Sequence, residues 1–408
     1  MGLRLKVEAI QKCISCGAVY PENRVIYSCS KCGSLLEIQI PSIEQINGRE
    51  LASNWSVREK TIWRFAEVIP VKGRVVSLKE GGTPLYEAEK AAKWAGVGKL
   101  YVKFEGLNPT GSFKDRGMSV GVSKALELGK KAVVCASTGN TSSSMAAYAA
   151  AAGLKAVVVV PKRGVAAGKL FQTVLHGAKT VQISEGFDKA LSSVLSTDAG
   201  SDVYILNSVN PWRIEGQKTL AYELWSDLQS TDYCVSVPVG NCGNISAIWK
   251  GFKELQSLGL VDNPPRMIGV QAEGASPFVD MVKRGETVLR PVENPSTIAS
   301  AIRIGRPVNW KKALKAIRES EGLVEKVSDA LILEAQRVLA VEVGLGVEPA
   351  SAASLAGVRK LVEQGDLDKD SCVVCVATGH ALKDPNTEII TKYLSKPPKS
   401  LREALTSL

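Results

Sequence analysis

The sequence comprises 408 residues, of which 45% are hydrophobic, and its formal net charge at pH 7 is +10. A chain of this length is too long for one simple core, so we expect two lobes with a cleft between them. The longest apolar stretch, Met145–Val160, is interrupted by Gly153 and Lys155 and does not reach the roughly 18 residues that a membrane span needs. Because the N-terminus also has no apolar secretory segment, we expect a cytoplasmic protein with no membrane partner.

The positive charge raises the question of a nucleic-acid partner. Nucleic-acid binding requires basic residues that cluster in a patch or an arm. Lys and Arg are instead scattered through this chain. We therefore predict no nucleic-acid partner, and we interpret the charge as a surface that keeps the protein soluble or attracts anionic substrates.

Four of the nine cysteines form two CxxC pairs near the start of the chain. Cys13 and Cys16 are separated by twelve residues from Cys29 and Cys32, which is zinc-ribbon spacing. Four thiolates can close a tetrahedral Zn²⁺ shell, and a closed shell makes the metal structural rather than catalytic. The segment is too short to bury a core unaided, so metal would contribute to its folding; four cysteines without metal are the alternative. Four other cysteines lie in apolar runs and receive no chemical role, namely Cys135, Cys234, Cys372 and Cys375.

After Ile40, short β-branched runs alternate with helical stretches. The predicted strands are residues 100–104, 132–135, 156–160, 179–183, 203–206, 233–239, 267–271 and 372–377. Continuous apolar runs of about five residues between helices indicate parallel strands that are buried on both faces. The sequence therefore predicts an α/β protein with doubly wound sheets. We expect the polar tail from Ser395 to Leu408 to be peripheral.

Polar motifs follow three of these strands, where ligands bind in sheets of this kind. They occupy residues 135–141, 239–244 and 377–380. The loop Gly240–Asn244 leads into a predicted helix, and its glycines together with the N–H groups of a helix N-terminus suit a phosphate. The loop has no lysine and no Walker spacing, which argues against a nucleoside triphosphate. An ordinary strand-to-helix turn is the alternative.

Lys114 lies in the first turn of a predicted helix, after a loop that begins at Asn108. The dipole at a helix N-terminus disfavours a cation, which helps to lower the pKa of Lys114 and makes its neutral, nucleophilic amine accessible. Without further context, a surface lysine is the commoner explanation. The surrounding motifs change that assessment.

Three of these motifs resemble the fold-type II pyridoxal-phosphate (PLP) enzymes, the tryptophan-synthase β-like superfamily. They are Ser112–Gly117, Ser137–Thr141 and Gly240–Asn244. Five further segments are similar to the threonine synthases, namely Glu80–Leu85, Asn207–Thr219, Ala301–Gly305, Glu348–Ala353 and Thr378–Pro385. The resemblance covers roughly residues 50 to 395, and the cysteine pairs resemble an N-terminal extension of some members.

The resemblance implies a fold and a domain arrangement. Two doubly wound sheet domains would follow a zinc-ribbon-like extension of residues 1–40. The smaller α/β domain would comprise residues 98–209, and the large PLP domain residues 41–97 and 210–408. The family also suggests a homodimer.

The resemblance assigns cofactor-binding roles to individual residues. Lys114 would carry the cofactor as a Schiff base and later shuttle protons. Asn140 would hydrogen-bond the ring hydroxyl, and Thr378 would face the pyridine nitrogen. A hydroxyl there, rather than a carboxylate, would leave that nitrogen less fully protonated, which suits elimination and replacement chemistry. The cofactor phosphate would be held by Gly240, Asn241, Cys242, Gly243 and Asn244, although Cys242 stands where alanine or serine is common.

The substrate would have two anionic groups to bind. The helix N-terminus at Ser137, Thr138 and Thr141 would take the α-carboxylate. A second group, Asn207, Ser208 and Arg213, would hold the substrate's own phosphate, which a guanidinium fork matches bidentately. For Arg213 the alternative is a surface salt bridge with Glu215 or Glu223. His380 receives no role, and Ala381 stands where glycine is common.

The implied reaction converts O-phospho-L-homoserine and water to L-threonine and phosphate, the work of a PLP-dependent carbon–oxygen lyase. The alternatives within the superfamily are a serine or threonine dehydratase and a cysteate synthase acting on phosphoserine. The segment Asn207–Thr219 argues against a simple dehydratase, but it does not distinguish phosphohomoserine from phosphoserine. A zinc-ribbon nucleic-acid-binding protein with a degenerate enzyme core is a remote alternative, against which Lys114, Asn140 and Thr378 argue.

Overall fold

The computed structural model describes residues 7–161, 167–183, 194 and 202–385, and the labels below number the elements within them. The strands are β1 (Ile10–Cys13), β2 (Val19–Pro21), β3 (Leu36–Gln39), β4 (Leu85–Glu87), β5 (Lys99–Phe104), β6 (Ala132–Ala136), β7 (Lys155–Pro161), β8 (Lys179–Ile183), β9 (Val203–Ile205), β10 (Cys234–Pro238), β11 (Arg266–Ala272), β12 (Leu323–Val327) and β13 (Cys372–Ala377). The helices are α1 (Gly48–Ser56), α2 (Glu89–Ala95), α3 (Lys114–Glu127), α4 (Asn140–Ala152), α5 (Ala167–Leu175), α6 (Trp212–Gln217), α7 (Thr219–Leu228), α8 (Gly243–Ser257), α9 (Pro277–Lys283), α10 (Trp310–Glu319), α11 (Asp329–Glu342) and α12 (Pro349–Gln364). Within these ranges, no helix has both the length and the apolar character needed to cross a membrane.

Two largely parallel sheets form the body of the protein. The larger has the order β12-β11-β10-β13-β5-β4, in which only β4 is antiparallel to its neighbour. The smaller is parallel throughout, in the order β8-β7-β6-β9. Helices accompany both sheets, so the predicted α/β class is confirmed.

All of the predicted strands occur in these two sheets, whereas β4 and β12 were not predicted. The strand β12 was missed because Glu325 and Lys326 interrupt its apolar run. Both charges are accommodated by partners outside the strand: Glu325 pairs with Lys283, and Lys326 pairs with Asp280 at 2.7 Å. An edge strand can keep such charges because only one of its sides is paired.

The domain boundary predicted at residue 98 does not coincide with the division of the strands between the two sheets. That boundary assigns β5 to the smaller domain, but β5 pairs with β13 and β4 in the larger sheet. In terms of sheet membership, the smaller unit begins with β6. Both sheets are largely parallel and bury apolar strands, so the sequence of β5 fits either sheet equally well.

The N-terminal extension forms a three-stranded antiparallel sheet in the order β2-β1-β3. It packs on the body of the protein along β3. Ile38 belongs to the apolar core beside the four-stranded sheet, whereas Ile40 belongs to the core beside the six-stranded sheet. The Nζ atom of Lys312 donates to the carbonyl oxygen of Leu36 at 2.7 Å. The extension thus contacts the parts of the chain that carry both sheets.

A buried ionic cluster joins α3 to the larger sheet and to α7. Arg116 of α3 contacts Glu105, which follows β5, at 2.6 Å and Glu223 of α7 at 2.7 Å. Lys103 contacts Glu223 at 3.0 Å. These carboxylates hold the pKa of Arg116 well above its usual value despite its burial, so its charge persists. The cluster therefore fixes the position of α3.

Arg116→Ala should lower the free energy of unfolding by about 3–5 kcal/mol, because it leaves Glu105 and Glu223 buried without their main counter-charge. Chemical denaturation monitored by circular dichroism measures this change. Lys93→Ala removes an exposed ion pair with Glu89 and should leave stability nearly unchanged. Equal effects of the two substitutions would contradict a stabilising role for the cluster.

Candidate functional site

A pocket of about 850 Å³ lies at the carboxyl ends of β6, β10 and β13. Its walls come from both sheets and include the starts of α3, α4 and α8. The structure brings all of the predicted cofactor and substrate residues into this one pocket: Lys114, Ser137, Thr138, Asn140, Thr141, Asn207, Ser208, Arg213, Gly240, Asn241, Cys242, Gly243, Asn244 and Thr378. The motifs are therefore neighbours in space despite their separation along the chain.

Lys114 is the first residue of α3, as the sequence predicts. The loop before it turns at Gly111, whose φ of +85° suits glycine. The backbone N–H of Phe113 donates to the carbonyl of Thr378 at 3.0 Å, which ties the helix start to the end of β13. Asp115 accepts hydrogen bonds from both the backbone N–H (2.7 Å) and the hydroxyl (2.6 Å) of Thr110. The backbone around Lys114 is thus held on both sides.

The pKa of Lys114 is lowered to about 7, mainly by burial and secondarily by the positive charge of Arg213, while Glu348 opposes the shift. The sequence argument attributed a lowered pKa to the helix dipole. The structure adds two causes that the sequence argument did not include, the burial of the amine and the charge of Arg213. A substantial fraction of the amine is consequently neutral near pH 7 and able to act as a nucleophile.

The loop Gly240–Asn244 has the form of an anion cradle. Cys242 caps α8 in the left-handed conformation, with a φ of 63°, and the N–H groups of the first helical turn have no intrahelical acceptor. A side chain at Gly240 would come within 3.0 Å of the Cα atom of Ile302. Both polar side-chain atoms of Asn244 are buried without a partner among the described residues. The loop therefore fits a phosphate group that would bind these free donors.

Cys242, which stands where alanine or serine is common, leaves the loop Gly240–Asn244 intact. Its side chain is buried and belongs to the apolar core beside the six-stranded sheet. Burial raises the pKa of the thiol, so it remains protonated and unreactive. Cys242 thus acts as a small apolar residue of the loop.

Arg213 is only 3% exposed and lines the pocket. Within the described part of the chain, no carboxylate pairs with it and its Nε atom has no hydrogen-bond acceptor. The carboxylates suggested as alternative partners are engaged elsewhere, because Glu215 pairs with Lys218 at 2.6 Å and Glu223 pairs with Arg116. Burial lowers the pKa of Arg213 to about 10, which still leaves it charged at neutral pH. The alternative interpretation of Arg213, as a surface residue in a salt bridge with Glu215 or Glu223, is therefore wrong.

Asn207 has a structural task that the sequence did not reveal. Its side-chain oxygen accepts from the backbone N–H of Ala136 at 3.0 Å, and its amide nitrogen donates to the carbonyl of the same residue at 2.9 Å. The amide thus caps the end of β6, and one N–H remains for a ligand. Asn207 shapes the pocket wall as well as lining it.

Sequence reasoning missed Glu348 as a residue of this pocket. Its carboxylate is buried and accepts hydrogen bonds from Asn140 at 2.9 Å and from Thr378 at 3.0 Å. Burial raises its pKa. The sequence did contain one signal for it. Glu348 directly precedes Pro349, and the first residues of the helix that follows are all small or apolar.

Asn309 was also missed, and it connects the two predicted phosphate loops. Its backbone N–H donates to the carbonyl of Asn241 at 3.2 Å, and its side-chain amide donates to the carbonyl of Ser208 at 3.0 Å. No pattern around Asn309 indicated this role, because both bonds reach residues far away in sequence. His380, to which no role was assigned, stacks on Phe104 with ring centroids 6.1 Å apart and is not among the lining residues.

The four N-terminal cysteines form a compact cluster. Their sulfur atoms all lie within 4.8 Å of one another, and glycines at 17 and 33 turn the chain after each pair with a φ of 72°. Backbone N–H groups point at sulfur, as in the 3.4 Å contact from Ser15 to Cys13. This donor set and its turns fit a tetrahedral zinc ion.

Elemental analysis of anaerobically prepared protein should find one zinc ion per chain. Cys16→Ser should lose the metal and lower the melting temperature, because three remaining thiolates do not close the shell. Cys234→Ser changes a half-buried thiol of β10 and should retain the metal. Metal-free protein with all four thiols reduced and normal stability would contradict a structural zinc site.

Comparison with known proteins places these observations in a family. The family model described as pyridoxal-phosphate dependent enzyme matches residues 76–379. The chain is 52% identical to a threonine synthase of Methanosarcina acetivorans, with 93% of each chain covered. It is 51% identical to a threonine synthase of Methanocaldococcus jannaschii, over 93% of this chain and 94% of that protein.

A solved structure supports the fold independently. The L-serine ammonia-lyase of Rhizomucor miehei is similar with a TM-score of 0.67 at 23% sequence identity, over 79% of this chain and 99% of that one. At that identity the likeness concerns the fold alone. Together with identity above 50% over nearly the whole chain, these findings show that this chain is a pyridoxal-phosphate-dependent enzyme and belongs to the threonine synthase family.

Proposed function

We propose that this chain converts O-phospho-L-homoserine and water to L-threonine and phosphate with the help of PLP. The observation that carries the proposal is Arg213, a buried guanidinium that pairs with no carboxylate among the described residues. It shares one pocket with Lys114 and with the anion cradle Gly240–Asn244. One pocket with two anion sites suits a phosphorylated substrate beside a phosphorylated cofactor.

The two anion sites have different chemical characters. The cradle Gly240–Asn244 offers backbone N–H groups of a helix start and no charged side chain. Arg213 offers a full positive charge and a planar fork of donors. We assign the cofactor phosphate to the cradle and the substrate phosphate to Arg213 and Ser208. Asn309 bonds to both loops and would keep the distance between these sites constant.

Bound PLP would withdraw electrons from the substrate and acidify its α-carbon. Lys114, whose pKa is lowered to about 7, would then be the base that takes the α-proton and later returns it. The N-terminus of α4, with Ser137, Thr138 and Thr141, would hold the α-carboxylate. A proton would leave the β-carbon as the phosphate leaves the γ-carbon, and Arg213 would stabilise the departing anion. The γ-carbon would then take up a proton, and Arg213 would keep the phosphate in the pocket while water adds at the β-carbon.

A phosphoserine-dependent reaction would use the same Arg213 site. Phosphoserine is shorter by one carbon, so its phosphate would reach a position nearer to Lys114. The spacing between the two phosphate loops, which Asn309 bridges, is the feature that would separate the substrates. A phosphate-release assay with both compounds side by side decides between them.

We also propose the larger organisation that the family resemblance suggests. The zinc-ribbon-like extension, a smaller domain around β6–β9 and a large domain around the six-stranded sheet would be the three units. A cytoplasmic homodimer without nucleic-acid or membrane partners is the corresponding proposal for assembly and location.

Lys114→Ala should abolish the covalent link to PLP, so borohydride reduction should label no peptide. In the unaltered apoprotein, the rate of covalent capture of PLP should rise with pH and level off above about 7, because only the neutral amine attacks. Arg213→Gln should move that midpoint upward, since the charge of Arg213 helps to lower the pKa. Lys383→Ala, which removes another lysine of the pocket, should keep the link. A label on any lysine other than Lys114 would refute the assignment.

Arg213→Ala should lower kcat/KM for phosphohomoserine by an amount equivalent to about 2–5 kcal/mol, as for truncating one partner of a buried charge pair. Arg213→Lys should restore only part of this loss, because an ammonium keeps the charge without the fork. Steady-state kinetics with phosphohomoserine and with unphosphorylated serine provide the measurement. The assays should be run well above the pKa of Lys114, so that changes in its protonation do not contribute. Equal losses with both substrates would mean that Arg213 supports the fold rather than the substrate phosphate.

A further inference from the structure

Glu348 connects the two side chains that are proposed to contact the cofactor ring. It is 1% exposed and directly precedes α12. One carboxylate oxygen accepts from the amide of Asn140 at 2.9 Å, and the other accepts from the hydroxyl of Thr378 at 3.0 Å. The proposed reaction leaves this buried carboxyl without a role, although it lines the pocket.

The hydroxyl of Thr378 has a single proton, so its partners decide what it can offer to the pocket. Its oxygen lies 3.0 Å from Glu348 and 3.0 Å from the hydroxyl of Ser351. An ionised Glu348 only accepts, and Thr378 must then donate to it and present a lone pair to the pocket. A protonated Glu348 can donate to Thr378, whose own proton is then free for the pocket.

Groups of both signs surround Glu348 and act on its pKa in opposite directions. Burial raises its pKa, and the negative charge of Asp384 acts in the same direction. Its hydrogen bonds from Asn140 and Thr378 and the positive charge of Lys114 act in the opposite direction. Lys383, which lines the same pocket, also interacts electrostatically with Glu348. The protonation of Glu348 therefore depends on groups from α3, α4 and the segment after β13.

We propose that Thr378 relays a proton between the ring nitrogen of the cofactor and Glu348. As the nitrogen gains the proton of the Thr378 hydroxyl, that hydroxyl takes the proton of the Glu348 carboxyl, and the carboxylate is left ionised. The reverse transfer restores the neutral ring nitrogen and the neutral carboxyl. The inference rests on the proposed function, because it takes Thr378 to face the ring nitrogen.

The relay changes the expected electronic role of Thr378. A hydroxyl alone would leave the ring nitrogen less fully protonated than a carboxylate would, as the family resemblance suggests. A hydroxyl backed by a buried carboxylate can instead support a protonated nitrogen, because the negative charge of Glu348 compensates the positive charge of the ring. Glu348 would thus be a positioning residue that tunes the ring without touching it.

The test measures ring protonation directly, without turnover. Apoprotein is loaded with PLP labelled with ¹⁵N in the ring, and the ¹⁵N chemical shift is followed over pH to obtain the apparent pKa of the nitrogen. Glu348→Gln should lower that pKa by about 1–3 units, the range for removing an opposite charge at about 4–6 Å. Ser351→Ala, which removes the other partner of Thr378 without changing charge, should leave it unaltered.

Variants of Thr378 separate the relay from the proposed orientation of the cofactor. Thr378→Val should lower the nitrogen pKa like Glu348→Gln, the double variant should show no further fall, and Thr378→Ser should keep the original value. If Thr378→Val shifts the nitrogen but Glu348→Gln does not, the relay is overturned while the cofactor orientation stands. If neither shifts it, Thr378 does not face the nitrogen, and that part of the proposed function fails as well. If Glu348→Gln does not bind PLP, Thr378→Val and Thr378→Ser still decide whether the nitrogen pKa depends on the hydroxyl. Glu348→Asp, which keeps the charge but shortens the side chain, then tests the contribution of the carboxylate.

Discussion

The paired charges around Arg116 are the interaction on which the site depends most. Arg116 lies two residues after Lys114, at the start of the same helix, and its guanidinium is held by Glu105 and Glu223. The salt bridges are almost completely buried, so removing Arg116 leaves carboxylates without their main counter-charge and out of reach of water. Because α3 cannot shift without breaking them, Lys114 enters the pocket from a fixed direction.

The pocket itself combines groups that the protein leaves electrostatically incomplete. Within the part of the chain that the structure describes, Arg213 is buried without a carboxylate partner and the polar side-chain atoms of Asn244 are unpaired. The pKa of Lys114 is lowered to about 7. Each of these features costs stability in the absence of a ligand. Anionic cofactor and substrate would compensate them, so binding energy and the arrangement for catalysis have the same physical origin.

Several features were predictable because they depend on local patterns. The strands follow from short apolar runs, the phosphate loop from glycines before a helix, and the cysteine cluster from CxxC spacing. Glu348 and Asn309 were not predictable, because their partners Asn140, Thr378, Asn241 and Ser208 lie far from them in sequence. The predicted boundary at residue 98 put β5 with the smaller domain, whereas β5 pairs in the larger sheet, because its sequence fits either sheet.

The amino-acid pattern was thus sufficient to establish the α/β class, the candidate lysine, the anion loop and the family resemblance. It could not establish that Arg213 has no carboxylate partner among the described residues, that burial and the charge of Arg213 lower the pKa of Lys114, or that Glu348 joins Asn140 to Thr378. Chain periodicity and local spacing encode the first group of properties. The second group depends on which distant side chains meet in a water-poor interior, where a single missing or additional counter-charge decides the protonation of its neighbours.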